Sequence, residues 1–161
     1  MRIIGLDPGL RHLGWGVIEQ TPKGFRHISN GVCKSTGEEM PERLHSLFVQ
    51  LRHVFDEFSP DEVAVEQVFV NKDGAATLKL GQARAVCLLA PAERGLPVSE
   101  YAPNRVKKTV SGSGHAEKAQ VERMLTLQLG KFEFANADAA DAVAIALCHS
   151  IWRGNIGRAV A

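Results

Sequence analysis

Residues 2–19 read Arg2-Ile3-Ile4-Gly5-Leu6-Asp7-Pro8-Gly9-Leu10-Arg11-His12-Leu13-Gly14-Trp15-Gly16-Val17-Ile18-Glu19, and the punctuation of that stretch decides the fold. The apolar run Arg2–Asp7 reads as a strand, and Leu13–Glu19, alternating around Gly14 and Gly16, as a second. The turn residues Asp7-Pro8-Gly9 join them as a hairpin. Phe25–Cys33, after the turn Pro22-Lys23-Gly24, supplies a third antiparallel strand. The period then changes: Met40, Leu44, Leu47, Phe48, Leu51, Val54, Phe55 and Phe58 fall at helical spacing. Ser59-Pro60-Asp61 ends that helix, and Glu62–Glu66 returns as a short buried strand. A helix over residues 75–90 stopped near Pro91, a fifth strand at Pro97–Tyr101 and a short helix after Pro103 follow. Residues 116–129 predict a helix closed by Gly130, and the last helix runs from about Asn136 to Trp152. The order predicts an α/β fold with a mixed five-stranded sheet, three antiparallel strands then two parallel ones, flanked by helices.

The 161 residues fit one domain, placed at 1–152, with 153–161 as a frayed tail. At 45% hydrophobic and 23% charged, the composition is that of a globular protein. No apolar run approaches the ~20 residues of a membrane span, and the N-terminus reaches Asp7 too early for a signal peptide. Cys33, Cys87 and Cys148 are odd in number, far apart and in apolar context, which predicts buried free thiols in a cytoplasmic protein. The net charge of +1 hides an asymmetry: residues 37–66 hold eight acids, whereas residues 102–131 hold Arg105, Lys107, Lys108, Lys118, Arg123 and Lys131 against Glu117 and Glu122. A basic surface in the later part suits phosphates, although a solvated mixed surface explains the same numbers.

Four acids carry the chemistry. Asp7 closes the first strand, Glu66 closes Val63-Ala64-Val65, and Asp138 and Asp141 open the apolar stretch 142–148. An ionised carboxylate at the end of a buried element is costly unless it is paired or holds a cation. In an α/β sheet, sites form at the carboxyl ends of parallel strands, and Asp138 and Asp141, three apart, share one face of a helical turn. Acids in a first turn are also explained by the helix dipole alone. Four acids brought to one point repel, and hard oxygen ligands suit magnesium, with manganese able to substitute. Two such ions about 4 Å apart activate water and stabilise the leaving oxygen of a phosphodiester. The absence of C-x-x-C and H-E-x-x-H patterns argues against zinc.

The segments Ile4-Gly5-Leu6-Asp7-Pro8-Gly9, Val65-Glu66-Gln67-Val68-Phe69, Leu78-Lys79-Leu80-Gly81-Gln82-Ala83-Arg84 and Ala137-Asp138-Ala139-Ala140-Asp141-Ala142 together resemble the RuvC family of bacterial Holliday-junction resolvases, in family order and spacing. The likeness covers residues 1 to about 152. It implies a ribonuclease-H-like fold and an endonuclease that nicks four-way DNA junctions symmetrically during recombination and repair. It also implies two magnesium ions held by Asp7, Glu66, Asp138 and Asp141, a position at Asp138 that is histidine in some members, and work with RuvA and RuvB at a short T-rich sequence. Phe69 taken alone reads as a core residue at a strand end; the resemblance makes it the wedge that opens the junction. Lys107 and Lys118, otherwise ordinary solvated lysines, match family positions for DNA contact and catalysis. Lys72, Lys79 and Arg84, with Arg105, Lys108 and Arg123, are weaker candidates for backbone contacts.

A four-way junction has twofold symmetry, and a C2 homodimer presents two identical sites in the same symmetry. Gly81 and Ala85, four apart beside Leu78, Val86 and Leu89, mark the helix at 75–90 as a dimer interface unless it packs only on its own sheet. The rivals at this level are a ribonuclease-H-like nuclease acting on another substrate such as an RNA–DNA hybrid, a non-catalytic DNA-binding module that keeps the fold and, a distant third for want of a P-loop pattern, a small-molecule phosphotransferase.

Overall fold

The structure, a computed structural model, describes residues 1–159, with side chains described through Arg153. Its strands are β1 (Arg2–Asp7), β2 (His12–Thr21), β3 (Gly24–Lys34), β4 (Glu62–Glu66) and β5 (Val98–Tyr101). Its helices are α1 (Met40–Phe58), α2 (Gly74–Glu93), α3 (Pro103–Ser111), α4 (Lys118–Leu129) and α5 (Ala137–Ala159). The sheet order is β3-β2-β1-β4-β5; β1 pairs antiparallel with β2 and β2 with β3, while β1–β4 and β4–β5 are parallel. The mixed sheet expected from the sequence is the one observed.

Alternation along the strands sorts side chains into two cores. Ile3, Ile18 and Ala64 face α5, α3 and α4, where Val106, Val110, Leu125, Ile145 and Leu147 join them. Ile4, Val17, Val63 and Val65 face the opposite way, toward Leu47, Leu51 and Phe55 of α1 and Val86 and Cys87 of α2. The pattern that reads as strands in the sequence is therefore the pattern that fills both layers.

Helix α5 lies unusually close to the sheet because both surfaces are stripped of bulk. Alanines 139, 140, 142, 144 and 146 are all buried on it. On the sheet, a Cβ at Gly5 would collide with the Ala142 carbonyl, one at Gly14 with the Asp138 carbonyl, and one at Gly16 would stand 2.8 Å from the Val143 amide nitrogen. A polar chain fixes the helix lengthwise: the Tyr101 hydroxyl and His149 Nδ1 are 2.8 Å apart, and His149 Nε2 lies 2.7 Å from Glu62 Oε2. Arg153 Nε donates to the other Glu62 oxygen at 2.6 Å. Burial acts to raise the Glu62 pKa, but the hydrogen bonds from His149 and Arg153 outweigh it and hold the carboxyl below its usual range.

Some element limits differ from expectation. Helix α2 does not stop before Pro91 but carries it inside its last turn, through Glu93. The missing N–H forfeits one helical bond, yet the helix runs past Pro91, which is itself buried. The last helix continues beyond Trp152 to Ala159, so the backbone of most of the expected frayed tail is helical, while its final residues, 160–161, lie outside the described residues. Cys33, Cys87 and Cys148 are free and buried, as expected. Among the described residues no helix is long and apolar enough to cross a membrane.

Candidate active site

The same alternation that builds the cores aims two carboxylates at α5. Leu6 pairs with Val65 in the parallel β1–β4 ladder, and both point to the α1–α2 side. The next residue on each strand, Asp7 and Glu66, therefore points to the α5 side at the carboxyl edge of the sheet. Helix α5 begins at that edge. Asn136 caps it, its Oδ1 accepting from the Ala139 amide at 2.8 Å, while its Nδ2 donates to Asp138 Oδ2 at 2.9 Å. The loop before it is tied to the sheet by Asn30 of β3, which donates to the Glu133 carbonyl at 2.9 Å and accepts from the Ala135 amide at 2.8 Å.

The electrostatics record the convergence. Burial first, then the charges of Glu66, Asp141 and Asp138, push the Asp7 pKa up to about 8, against the opposing pull of Lys118. Glu66 is pushed up to about 7 by burial and Asp141, with Lys107 and Lys118 acting the other way. Lys118 Nζ donates to Asp141 Oδ2 at 3.0 Å, and that bond raises the lysine pKa. Glu66, Lys107, Lys118 and Asp141 line a cleft of about 190 Å³ walled by Pro103, Val106, Val121 and Ala144. Two acids, two cations and an apolar wall describe a place for a phosphodiester.

The four acids are not closed into one coordination shell. Among the described residues, no three acids, histidines or cysteines are gathered tightly enough to surround a single ion. Asp138 is held by Asn136, with His12 Nδ1 at 3.9 Å, and Asp141 is held by Lys118. The donor set nevertheless fits a hard divalent cation: every acid offers oxygen, and two of them are buried enough to resist ionisation without a positive neighbour.

The other sequence candidates separate. Phe69 is 60% exposed in the segment after β4, so the plain core reading of it fails. Lys72 stands exposed just before the Asp73 cap of α2, whose Oδ1 accepts from the Ala76 amide at 3.1 Å. Lys79 is exposed on α2. Arg84 instead forms an ion pair with Glu100 of β5, and among the described residues its buried Nε has no hydrogen-bond partner. A phosphate contact at Arg84 would therefore compete with the Glu100 carboxylate. On α2, Leu78, Gly81, Ala85 and Leu89 are exposed, whereas Ala83, Val86, Cys87 and Ala90 pack on the sheet. Val86 thus belongs to the core, and the Leu78–Gly81–Ala85 face is free.

Sequence reasoning missed Asn30 and the Asn136–Asp138 bond. An asparagine two residues before a candidate ligand was legible as a cap but not as an anchor for the acid. Asn30 left no signal, because its partners lie more than a hundred residues away.

Against this geometry, the family model described as crossover junction endodeoxyribonuclease RuvC matches residues 3–149. The chain belongs to the RuvC family of Holliday-junction resolvases. A crossover junction endodeoxyribonuclease RuvC from Ruegeria pomeroyi is 61% identical over 152 residues, covering 94% of this chain and 92% of that protein. Thermus thermophilus RuvC, solved in complex with Holliday junction substrate, superposes with a TM-score of 0.88 at 35% identity, covering 98% of this chain and 96% of that one. The yeast mitochondrial Holliday junction resolvase, at 16% identity and a TM-score of 0.72 over 97% of this chain and 80% of that one, shares the ribonuclease-H-like fold. Every segment that carried the sequence resemblance lies inside the span the RuvC model matches.

Proposed function

We propose that this chain is a magnesium-dependent endodeoxyribonuclease that resolves four-way DNA junctions by paired nicks, acting in the cytoplasm on the products of recombination and repair. The observation that carries the reading is the meeting of half-buried Asp7 and Glu66 with Asp138, Asp141, Lys107 and Lys118 at one strand edge. Asp7, Glu66, Asp138 and Asp141 would hold the divalent ions, two per site, with manganese an acceptable replacement for magnesium. When bound, such ions supply an activated water and charge relief for the leaving oxygen. The chain's own residues do the rest. Lys107 and Lys118 hold the scissile phosphate and offset the charge that builds on it, the apolar wall from Val106 to Ala144 limits water, and Asn136, donating to Asp138 Oδ2, restrains that carboxylate. The deciding experiment incubates a synthetic four-way junction with magnesium, then with EDTA, and maps products on all strands. Symmetric nicks that vanish with EDTA support the reading; preferential cutting of an RNA–DNA hybrid would replace it with the rival nuclease.

The exposed ring of Phe69 supports a wedge that stacks on an unpaired base at the crossover. Phe69→Ala should leave magnesium binding intact and weaken junction engagement by about 1–3 kcal/mol, read as slower junction turnover. Equal turnover in the two proteins would remove the wedge role.

A homodimer is supported by an open apolar groove of about 630 Å³ between α1 and α2, lined by Leu44, Phe48, Ala85, Leu88, Leu89 and Ala92. It adjoins the exposed small-residue face at Leu78, Gly81 and Ala85, where a second helix can approach closely. Leu89→Glu should give monomers in sedimentation and uncouple the two nicks; an unchanged dimer would move the interface elsewhere. Family membership supports work beside RuvA and RuvB.

A further inference from the structure

Helix α3 has two working faces. Pro103, Val106 and Lys107 look into the catalytic cleft. Asn104, Arg105, Lys108 and Thr109 look away from it, and with Ile151 and Trp152 of α5 they line a separate groove of about 630 Å³. The Trp152 indole N–H donates to Thr109 Oγ1 at 2.8 Å, and the Thr109 hydroxyl donates to the Arg105 carbonyl at 2.7 Å. The indole is thereby fixed, and the Arg105 guanidinium lies over it, 4.9 Å from the ring centroid. A stacked guanidinium keeps its N–H donors around its edge, where a bidentate oxyanion can take them. Arg105 and Lys108 are exposed, and among the described residues no acid lines the groove and neither side chain forms an ion pair. By contrast Arg2, Arg26, Arg52, Arg84, Arg94 and Arg153 each meet a carboxylate.

We propose that Arg105 and Lys108, braced by Trp152, form a second phosphate-binding site that grips the duplex arm flanking the cut. The occupant follows from charge and continuity: the groove is cationic, and it shares a helix with Lys107 of the cleft, so one polyanion can meet both. Its reach follows from α5, along which Asp141 and Trp152 are separated by about 16 Å at 1.5 Å per residue. At ~3.4 Å per base step that distance spans about five base pairs, so the site meets phosphates roughly five steps from the scissile one. The inference rests on the DNA-cleaving reading above and adds a contact outside the catalytic cleft.

The test measures fluorescence anisotropy of a labelled four-way junction in EDTA across a sodium chloride series, for the wild type and for Arg105→Ala/Lys108→Ala. The double variant should bind more weakly, and its log-affinity against log-salt slope should fall by roughly 1.8, the release expected for two phosphates. Neutral methylphosphonates placed about four to six steps from the scissile phosphate should bring the wild type down to the variant and cost the variant nothing more. Arg105→Glu/Lys108→Glu should deepen the loss. Equal salt slopes, or a variant that loses as much as the wild type to the methylphosphonates, would overturn the second site while leaving the nuclease reading in place. A wild-type protein that ignores the junction altogether would overturn the nuclease reading itself.

Discussion

Asp7→Asn should abolish cleavage and, in EDTA at pH 8, melt at a higher temperature than the wild type. The Asp7 pKa in the folded protein is raised to about 8 from its ordinary value of 3.8. A raised carboxyl favours the protonated folded form, so its contribution to stability is complete below pH 3.8 and is lost as pH rises through about 8. Each unit of that shift is worth about 1.4 kcal/mol, and screening at a cleft open to solvent reduces the total to a few kcal/mol. Asparagine is nearly the same shape and carries no charge, so the penalty should disappear at pH 8 and the two melting temperatures should converge as pH falls toward 3.8. Glu66, raised from 4.5 to about 7, should behave alike over a narrower window. Cleavage moves the other way, because Asp7 would be one of the carboxylates that hold the divalent ions, and a neutral amide is a much weaker ligand for a hard cation. Calorimetry across pH and junction cleavage with magnesium check the pair of effects. A variant that still cuts at the wild-type rate would take Asp7 out of the site, and one less stable than the wild type at pH 8 would mean that its charge is already compensated.

Gly14→Ala should damage the site without touching any acid. A Cβ there would drive into the carbonyl of Asp138, with the Asp138 Cβ only 3.0 Å away. The first turn of α5 must then lift from β2, carrying Asp138 away from Asp7. Overpacking of this kind costs about 1–3 kcal/mol, visible as a lower melting temperature. Magnesium affinity measured by titration calorimetry should fall together with cleavage. Full affinity in a folded variant would show that α5 can back away without moving its carboxylates.

Much of this was legible beforehand because alternation is a local property. The runs ending at Asp7 and Glu66 announce strands, and strand parity then places both acids on one side of the sheet. The spacing from Met40 to Phe58 announces α1 for the same reason. What stayed hidden depends on partners far along the chain. Nothing near Arg84 foretells Glu100, nothing near Asn30 foretells the loop at Glu133–Ala135, and nothing near Trp152 foretells Arg105 above its ring. Pro91 misled for a different reason: its local preference to end a helix is real, but here the helix runs two residues past a buried proline.

The two-sided alternation of β1 also sets how this protein tolerates change in length. Inserting or deleting a single residue between Ile3 and Asp7 would slip the strand by one position and send Asp7 into the greasy layer beneath α1 and α2, while Leu6 or its replacement came to face the lysines. The same holds for β4 and Glu66. Loops such as Thr21–Gly24, far from the carboxyl edge, carry no such constraint, so natural length variants of this chain should be found there and not inside the two central strands.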